Sequence, residues 1–540
     1  MRLSLLLAFC VQQLVAVELL VDLGYAKYRG LNFENGVTRW AGMRYARSPS
    51  RLDGLRFTAP QDPLPDTSIV DATEVCNYTL SSFTCLTASQ FGPLCIGTNN
   101  PVLYEFGGKW SEDCLFANVF APSKATTKSK LPVYVFIQGG GFNNNGNANF
   151  NGSDLVRASG EQIVVVNFNY RVGPYGFLAS EEIVANKTLS LNNGLKDQRQ
   201  LLKWVNTHID QFGGDPGHVT LGGASAGAGS VIMQLTAYGG RDDKLFHAAT
   251  VESPATPTLR NVSESQFQYN ALLKQTGCKD LTCLTTMDAV NFQNAVRNMN
   301  IPFPGAKNPP IYPFNPIVDY DFIQDYTYNE FKNGHFVKVP TIIGDSTNEG
   351  LTFTSKSVSS LQKAYTFVAD QFTNLDAQDQ NSIEGVWQGP QDSSKDGRWR
   401  NIAADIYGHI RYICPGLNFS SAYADDTSLN TWQYRWNVGP ALHVGELGSI
   451  WFNGTQASQA FVQQYWISFI RSYNPNKYTT TFWTDDGVKL ISPKWETFGK
   501  TGNGRRLLFD DKSVVKMENV TEQETQRCKT LTAMGLQLAQ

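Results

Sequence analysis

Charge is scarce in this chain: Asp, Glu, Lys and Arg together supply 17% of the 540 residues, and the formal net charge is only −3. There is no long basic run, which excludes nucleic acid as a partner, because phosphate binding needs a clustered positive surface. There is also no block of like charge that would mark a disordered tail, no internal repeat and no Pro/Ser-rich linker between domains. Histidine is rare, with six in all. None clusters beside the cysteines, and no two cysteine pairs have the two-residue spacing of a zinc knuckle, so metal ligation is set aside. Beyond the N-terminus no apolar run approaches the roughly 20 residues that cross a bilayer, so no stable membrane anchor is expected. The C-terminal Leu536-Gln537-Leu538-Ala539-Gln540 is neither a retention signal nor a lipid-anchor tail.

Hydrophobic residues make up 41%, the share of an ordinary globular protein with a large core. Arg2 precedes an apolar stretch from Leu3 to Val17 that is too short to span a membrane and has the form of a secretory signal, with cleavage after Ala16. We therefore expect a signal peptide, 1–16, and one body with insertions, 17–540, routed outside the cell. Of nine cysteines, Cys10 leaves with the signal, and Cys76, Cys85, Cys95, Cys114, Cys278, Cys283, Cys414 and Cys528 remain. An even set in an exported chain reads as disulfides. Seven sequons agree with that route, at Asn77, Asn151, Asn186, Asn261, Asn418, Asn453 and Asn519.

Short runs rich in β-branched residues alternate with longer helical patterns, which indicates an α/β sheet. Val133–Ile137, Ile163–Phe168, His218–Leu221 and Val339–Ile343 read as strands. Asn193 to Phe212 reads as a helix, stopped by Gly213-Gly214 with Pro216 close behind. From about 351 to 440, helical patterns and turn-rich pieces alternate without a clear assignment.

Gly223-Ala224-Ser225-Ala226-Gly227 matches G-x-S-x-G between a strand and the apolar stretch Val231–Leu235. A strand–tight turn–helix junction needs small neighbours, because its nucleophile occupies a strained backbone conformation. Attack on an ester makes an oxyanion that needs preorganised N–H donors. Gly139-Gly140-Gly141-Phe142, directly after a strand, supplies a turn open enough for this. The amides of Gly140, Gly141 and Ala226 would form a three-donor hole, each donor contributing about 3–4 kcal/mol to the transition state. A phosphate loop is excluded, since neither G-K-[ST] nor G-x-G-x-x-G follows.

The serine needs a base. His208 and His409 lie in helical patterns, His218 opens the nucleophile strand at its far end, His247 sits in an apolar run and His335 precedes a strand. His443, in a late loop after Gly439-Pro440-Ala441-Leu442, fits the chain order serine, acid, histidine. The acid should follow a strand between the two. Asp345 and Glu349 both do, and the residues alone do not separate them.

The segments Ser111-Glu112-Asp113-Cys114-Leu115, Gly139–Phe142, Asn169-Tyr170-Arg171-Val172, Phe212–Pro216 and Gly223–Gly227 resemble, in order, the type-B carboxylesterase/lipase family, and most of all its secreted fungal carboxylesterases. The resemblance runs across nearly all of 17–540. It implies the α/β-hydrolase fold, a large mostly parallel sheet flanked by helices. It also implies a triad of Ser225, Glu349 and His443, in which the acid directly precedes a glycine, and an oxyanion hole at Gly140, Gly141 and Ala226. It further implies disulfides Cys95–Cys114, Cys278–Cys283 and Cys414–Cys528, leaving Cys76–Cys85 by exclusion, and a structural ion pair between Arg56 and Glu112. Two positions depart from the family: Ala224 stands where many relatives have Glu, which weakens any case for a cationic alcohol, and Gln138 stands where a histidine often precedes the glycines.

The expected activity is hydrolysis of small-molecule carboxylic esters through an acyl-enzyme on Ser225, with no metal or organic cofactor implied. The Cys95–Cys114 loop encloses only 18 residues, including Val102, Leu103, Tyr104, Phe106 and Trp110. Such a loop has little reach for a swinging lid, which favours an esterase for soluble esters. A true lipase, an acyl-transferring enzyme using the same triad and a catalytically silent adhesion-type homologue are the alternatives. Sequence sets neither the acyl and alcohol preference nor the oligomeric state.

Overall fold

The β-branched runs of the middle of the chain form the centre of an eleven-stranded sheet. The computed structural model describes residues 19–540 apart from residues 34, 72–75, 80–81, 86–90, 106–107, 147–148, 388–396, 427–428, 453, 479–480, 484–486, 500–503 and 512–513. The proposed signal and Asn453 lie outside the described residues. The strands in chain order are β1 (Leu31–Asn32), β2 (Val37–Arg44), β3 (Phe116–Pro122), β4 (Leu131–Ile137), β5 (Val164–Phe168), β6 (Gly214–Ala224), β7 (Ala248–Glu252), β8 (Thr341–Ser346), β9 (Thr431–Asn437), β10 (Arg505–Asp510) and β11 (Val515–Asn519). In space they run β11-β10-β9-β8-β7-β6-β4-β5-β3-β2-β1. From β5 through β4 to β10 neighbours are parallel, and the two edges are antiparallel. Parallel strands covered on both faces are almost continuously apolar, as in β5, which is buried throughout and has Asn167 as its one polar residue. Strand order reverses at β4, which lies between β5 and β6. Open α/β sheets form their ligand crevice beyond the strand C-termini at such a reversal.

The helices that matter for the site are α1 (Asn193–His208), α2 (Ala226–Gly240), α3 (Arg398–Gly408), α4 (Cys414–Asp425), α5 (Ala457–Ser472) and α6 (Glu522–Ala533). Three differences from the sequence reading have physical causes. The helix expected to reach Phe212 ends at His208, and its last turn tightens into a 3₁₀ turn, Ile209–Phe212, capped by Gly213 at φ 84°. Strand β6 is longer than His218–Leu221, because an irregularity in its register with β4 between Leu131 and Val133 accommodates Pro216 and Gly217. Strand β8 begins after Pro340, which has no N–H to donate, and runs on to Ser346, so Asp345 lies inside the sheet.

The stretch left unassigned from 351 to 440 contains helices Leu361–Gln371 and Ala377–Trp387, then α3 and α4 joined by a π-helical turn, His409–Ile413. A π turn inserts a residue and rotates the buried face, which scrambles an apolar pattern read at 3.6 residues per turn.

Disulfides join Cys95 to Cys114, Cys278 to Cys283, and Cys414 on α4 to Cys528 on α6. Strands Cys76–Thr79 and Ser82–Cys85 pair antiparallel with Cys76 opposite Cys85. Their side chains, and with them the fourth expected bridge and Asn77, lie outside the described residues. Arg56 and Glu112 form a buried ion pair at 2.5 Å, with the Arg56 guanidinium also donating to the carbonyls of Leu284 and Met287. Of the remaining sequons, Asn151, Asn186 and Asn519 are exposed and Asn261 and Asn418 half-buried. Among the described residues no helix is long and apolar enough to cross a membrane.

Candidate active site

Strand β6 ends at Ala224 and α2 starts at Ala226, which leaves Ser225 alone to make the turn. Its backbone sits at φ 59° and ψ −125°, a left-handed conformation that costs a side-chain-bearing residue of order 1–3 kcal/mol. Neighbouring bonds hold it there: the Ser225 amide donates to the Glu252 carbonyl at 2.9 Å, and its carbonyl accepts from Gly229 at 2.9 Å and Ala255 at 3.2 Å. The flanking glycines are sterically required. A Cβ at Gly227 would stand 2.0 Å from the Ile137 carbonyl, and one at Gly223 would stand 2.5 Å from the Gly227 carbonyl.

His443 Nε2 lies 2.8 Å from Ser225 Oγ, and its Nδ1 makes a short contact with Glu349 Oε2. The other oxygen of Glu349 accepts from Ser253 Oγ at 2.6 Å and from the Ser346 amide at 2.7 Å. Three residues from three separate elements are thus brought into one hydrogen-bonded line. The Glu349 side chain is fully buried. Gly350 must follow it, since a Cβ there would come within 1.8 Å of the Ala404 carbonyl. Asp345 lies elsewhere. It pairs with Arg435 and accepts from Gln433 at 3.3 Å, inside a cluster in which Arg435 and Arg506 also hold Glu524. Burial pushes its carboxyl up to about 6, against the pull of Arg435. Strand length separates the positions of the two acids: Asp345 is still in β8, while Glu349 begins the 3₁₀ turn beyond it.

The glycine turn follows β4. Gly140 has φ 117° and Gly141 φ 62°; a Cβ at Gly140 would meet the Asn144 carbonyl at 2.0 Å, and one at Gly141 the Tyr312 ring at 2.2 Å. Among the described residues no acceptor is bonded to the amides of Gly140, Gly141 or Ala226. Asn143 locks the turn to the facing segment, with Nδ2 donating to the carbonyls of Gly141 at 2.7 Å and Phe314 at 2.6 Å. Gln138, buried, donates to Asn145 at 2.5 Å, tying the two ends of the turn.

A family model described as the carboxylesterase family matches residues 18–529. The chain belongs to the carboxylesterase family. It is similar to the crystal structure of EstA from Aspergillus niger, at 38% identity and a TM-score of 0.85 over 96% of this chain and 99% of that one. Lipase 2 of Geotrichum candidum is 29% identical, covering 85% of this chain and 88% of the relative. Secreted lipase 1 of Botryotinia fuckeliana (strain B05.10) is also 29% identical, covering 84% and 85%. The fold is that of the α/β-hydrolases, and the protein is a carboxylic ester hydrolase.

Several features of this carboxylesterase's site escaped the sequence. Ser253, at φ 55°, steadies Glu349, and its only sequence signal is its place directly after β7. A wall of rings faces His443: Tyr412 at 4.4 Å between centroids, Phe353 at 4.9 Å, and Tyr312 edge-on to Phe353 at 6.2 Å. Beneath Ser225 two carboxyls are sealed in the core. Burial, with Glu446 adding, pushes Glu252 up to about 8, and burial pushes Glu446 up to about 7. Glu252 accepts from Trp466 on α5 at 2.9 Å and Tyr134 at 3.3 Å, while its Oε2 is unpartnered among the described residues. The other histidines have separate partners: His218 stacks on Tyr473, His335 meets Glu330, His409 meets Asp405, His208 packs on Trp204, and His247 accepts from the Val219 amide. Among the described residues no group of three His, Cys, Asp or Glu side chains converges to hold a metal ion.

Proposed function

We propose that this carboxylesterase is an exported serine esterase for soluble esters, acting through an acyl-enzyme on Ser225. The observation that carries the proposal is the continuous line from Glu349 through His443 to Ser225 Oγ, together with three nearby backbone amides that have no acceptor among the described residues. In the first half-reaction His443 Nε2 takes the hydroxyl proton as Oγ bonds to the ester carbon. The carbonyl oxygen becomes an oxyanion, accepting from the amides of Gly140, Gly141 and Ala226. Glu349 holds Nδ1–H and so sets the tautomer, leaving Nε2 as the base. Collapse expels the alcohol with the proton His443 carries. Water then repeats the sequence on the acyl-enzyme and releases the acid.

The preference for soluble esters rests on the Cys95–Cys114 loop, which is tied down at Gly97, Thr98, Asn100 and Glu105. Thr98 Oγ1 donates to Asn143 Oδ1 at 3.1 Å, Gln293 Nε2 donates to the carbonyls of Gly97 and Asn100 at 2.9 Å, and Glu105 pairs with Arg51. A loop held this way does not swing as a lid. Lipase is the second reading, favoured by the names of the fungal relatives and by Leu103 and Tyr104, which are 74% and 68% exposed. Export through a signal at 1–16, with glycans at some of the seven sequons, is supported by the three disulfides and by relatives named as secreted.

The test is covalent labelling with an organophosphate, followed by initial rates on tributyrin and a long-chain triglyceride below and above saturation. Label on Ser225 and smooth saturation are expected. Label elsewhere removes the acyl-enzyme assignment, and a sharp rise at the emulsion boundary replaces esterase by lipase.

A further inference from the structure

We propose that Arg411 is an anion-recognition residue of the ester site, so that preferred substrates carry a carboxylate several bonds from the reacting carbonyl; this deepens, and rests on, the Ser225 reading above. Arg411 lies in the π turn His409–Ile413, one residue before the tyrosine whose ring packs on His443. Its carbonyl accepts from the Thr256 amide at 2.9 Å, and the adjacent Ala255 amide donates to the Ser225 carbonyl at 3.2 Å. One loop therefore joins the backbone of Arg411 to that of the nucleophile. Its guanidinium carbon stands 5.6 Å from the centre of the Tyr312 ring, and a Cβ at Gly141 would stand 2.2 Å from that ring. These contacts put Arg411 in the wall that runs from the glycine turn to His443.

Among the described residues no carboxylate pairs with this arginine. It is only 5% exposed, and its Nε and Nη2 are buried without a hydrogen-bond partner among the described residues. The ionisable groups acting on it are Tyr407, Tyr412 and Tyr312, and Tyr412 also interacts with the guanidinium through a side-chain hydrogen bond, which leaves Nε and Nη2 as the free donors. Burial raises all three hydroxyls, Tyr312 to about 12, so the rings surround the cation as neutral groups at physiological pH. Five other buried arginines, Arg56, Arg171, Arg199, Arg435 and Arg506, each hold a carboxylate, while Arg39 lies over the rings of Phe33 and Phe91 far from the site. A buried cation without a carboxylate partner is costly, and that cost is relieved when an anion arrives. The guanidinium fork matches a carboxylate through two parallel N–H bonds, which a lysine cannot reproduce. The π turn gives independent support, since such turns recur where a helix is bent to aim a functional side chain. The structural rival is that Arg411 serves only to hold the tyrosine faces together by cation–π attraction.

Two matched substrate pairs decide between them and also show which half of the ester bears the anion. For the acyl half the pair is mono-4-nitrophenyl adipate and its methyl ester; for the alcohol half it is 4-acetoxybenzoate and methyl 4-acetoxybenzoate. The readout is the ratio of kcat/KM for the carboxylate over that for its methyl ester, in wild type, Arg411→Met and Arg411→Lys. In one pair the ratio should fall by about 30-fold or more in Arg411→Met and recover in part in Arg411→Lys. Ratios unchanged in both pairs, or equal losses on both members of each pair, overturn the proposal in favour of the structural role. If Arg411→Met does not fold, wild-type hydrolysis of the neutral esters is measured with free adipate and 4-hydroxybenzoate as inhibitors. Competitive inhibition by one of them that its methylated analogue does not show supports the proposal, and absence of inhibition overturns it. Failure of the Ser225 reading would show separately, as hydrolysis of the neutral esters persisting in Ser225→Ala.

Discussion

The floor of the site and the wall opposite it are built by different means. Ser225 and the glycine turn project from the C-terminal ends of β6 and β4, neighbouring parallel strands whose register pairs Ile137 with Gly223. Backbone hydrogen bonds on both sides fix these positions, and the glycines permit contacts closer than any side chain would allow. The wall consists of Tyr312 from a loop, Phe353 from the end of a 3₁₀ turn, and Arg411 and Tyr412 from a π turn, and it is held mainly by ring contacts. On the mechanism proposed above, bond-making falls to positions fixed by backbone hydrogen bonds, and selection among substrates to segments whose geometry depends on side-chain packing. Changes to the floor should therefore be felt in kcat with every ester, and changes to the wall in the choice among esters.

The largest expected effect is at the floor: Ser225→Ala should lower kcat by at least about a thousandfold for every ester, with folding intact by circular dichroism. Glu349→Gln comes next, with a loss of about a thousandfold or more, because the wrong imidazole tautomer is favoured. Asp345→Asn should leave kcat within about tenfold of wild type and lower the melting temperature instead, since it removes a charge from the Arg435 cluster; the reverse ranking would move the acid to Asp345. At the wall, Tyr412→Ala should shift the ratio of kcat/KM between long- and short-chain 4-nitrophenyl esters by about tenfold. A uniform loss across chain lengths would erase the distinction between the two regions. The smallest effect lies under the floor. Glu252 is held protonated up to about 8, so its contribution to stability is complete below the ordinary carboxylate range and is lost as pH rises towards 8. Glu252→Gln keeps an acceptor for Trp466 and Tyr134, so its melting temperature should gain on wild type between pH 5 and pH 8. A difference independent of pH would mean that Glu252 is ionised in the fold.

Legibility in the sequence follows the same division. Parallel strands buried on both faces are continuous apolar runs, and a strand–turn–helix nucleophile needs glycines at fixed offsets, so β4, β5, β6 and the Ser225 turn could be read from local pattern alone. The acid could not be, because separating Asp345 from Glu349 depends on how far β8 extends, and strand ends leave little trace in the sequence. Resemblance to the family supplied what local pattern lacked. Ser253 and the wall were missed for another reason: a serine after a strand and a tyrosine in a helix are common, and their importance comes from contacts across 96 residues for Ser253–Glu349 and 31 for Tyr412–His443. The π turn compounded this by breaking the 3.6-residue period on which helix assignment relies.

The contact of Tyr312 with Gly141 also bears on how such an enzyme can change over evolution. A single added methyl at position 141 has nowhere to go except into that ring. The ring leans on Phe353 and on the Arg411 guanidinium, so the displacement would be passed along the wall towards Tyr412. Mutational routes to a new substrate range and routes to a faster reaction are therefore not independent here. A laboratory lineage selected for one will drag the other with it, and variants that widen the space around Tyr312 should precede, rather than follow, any tolerated change in the glycine turn.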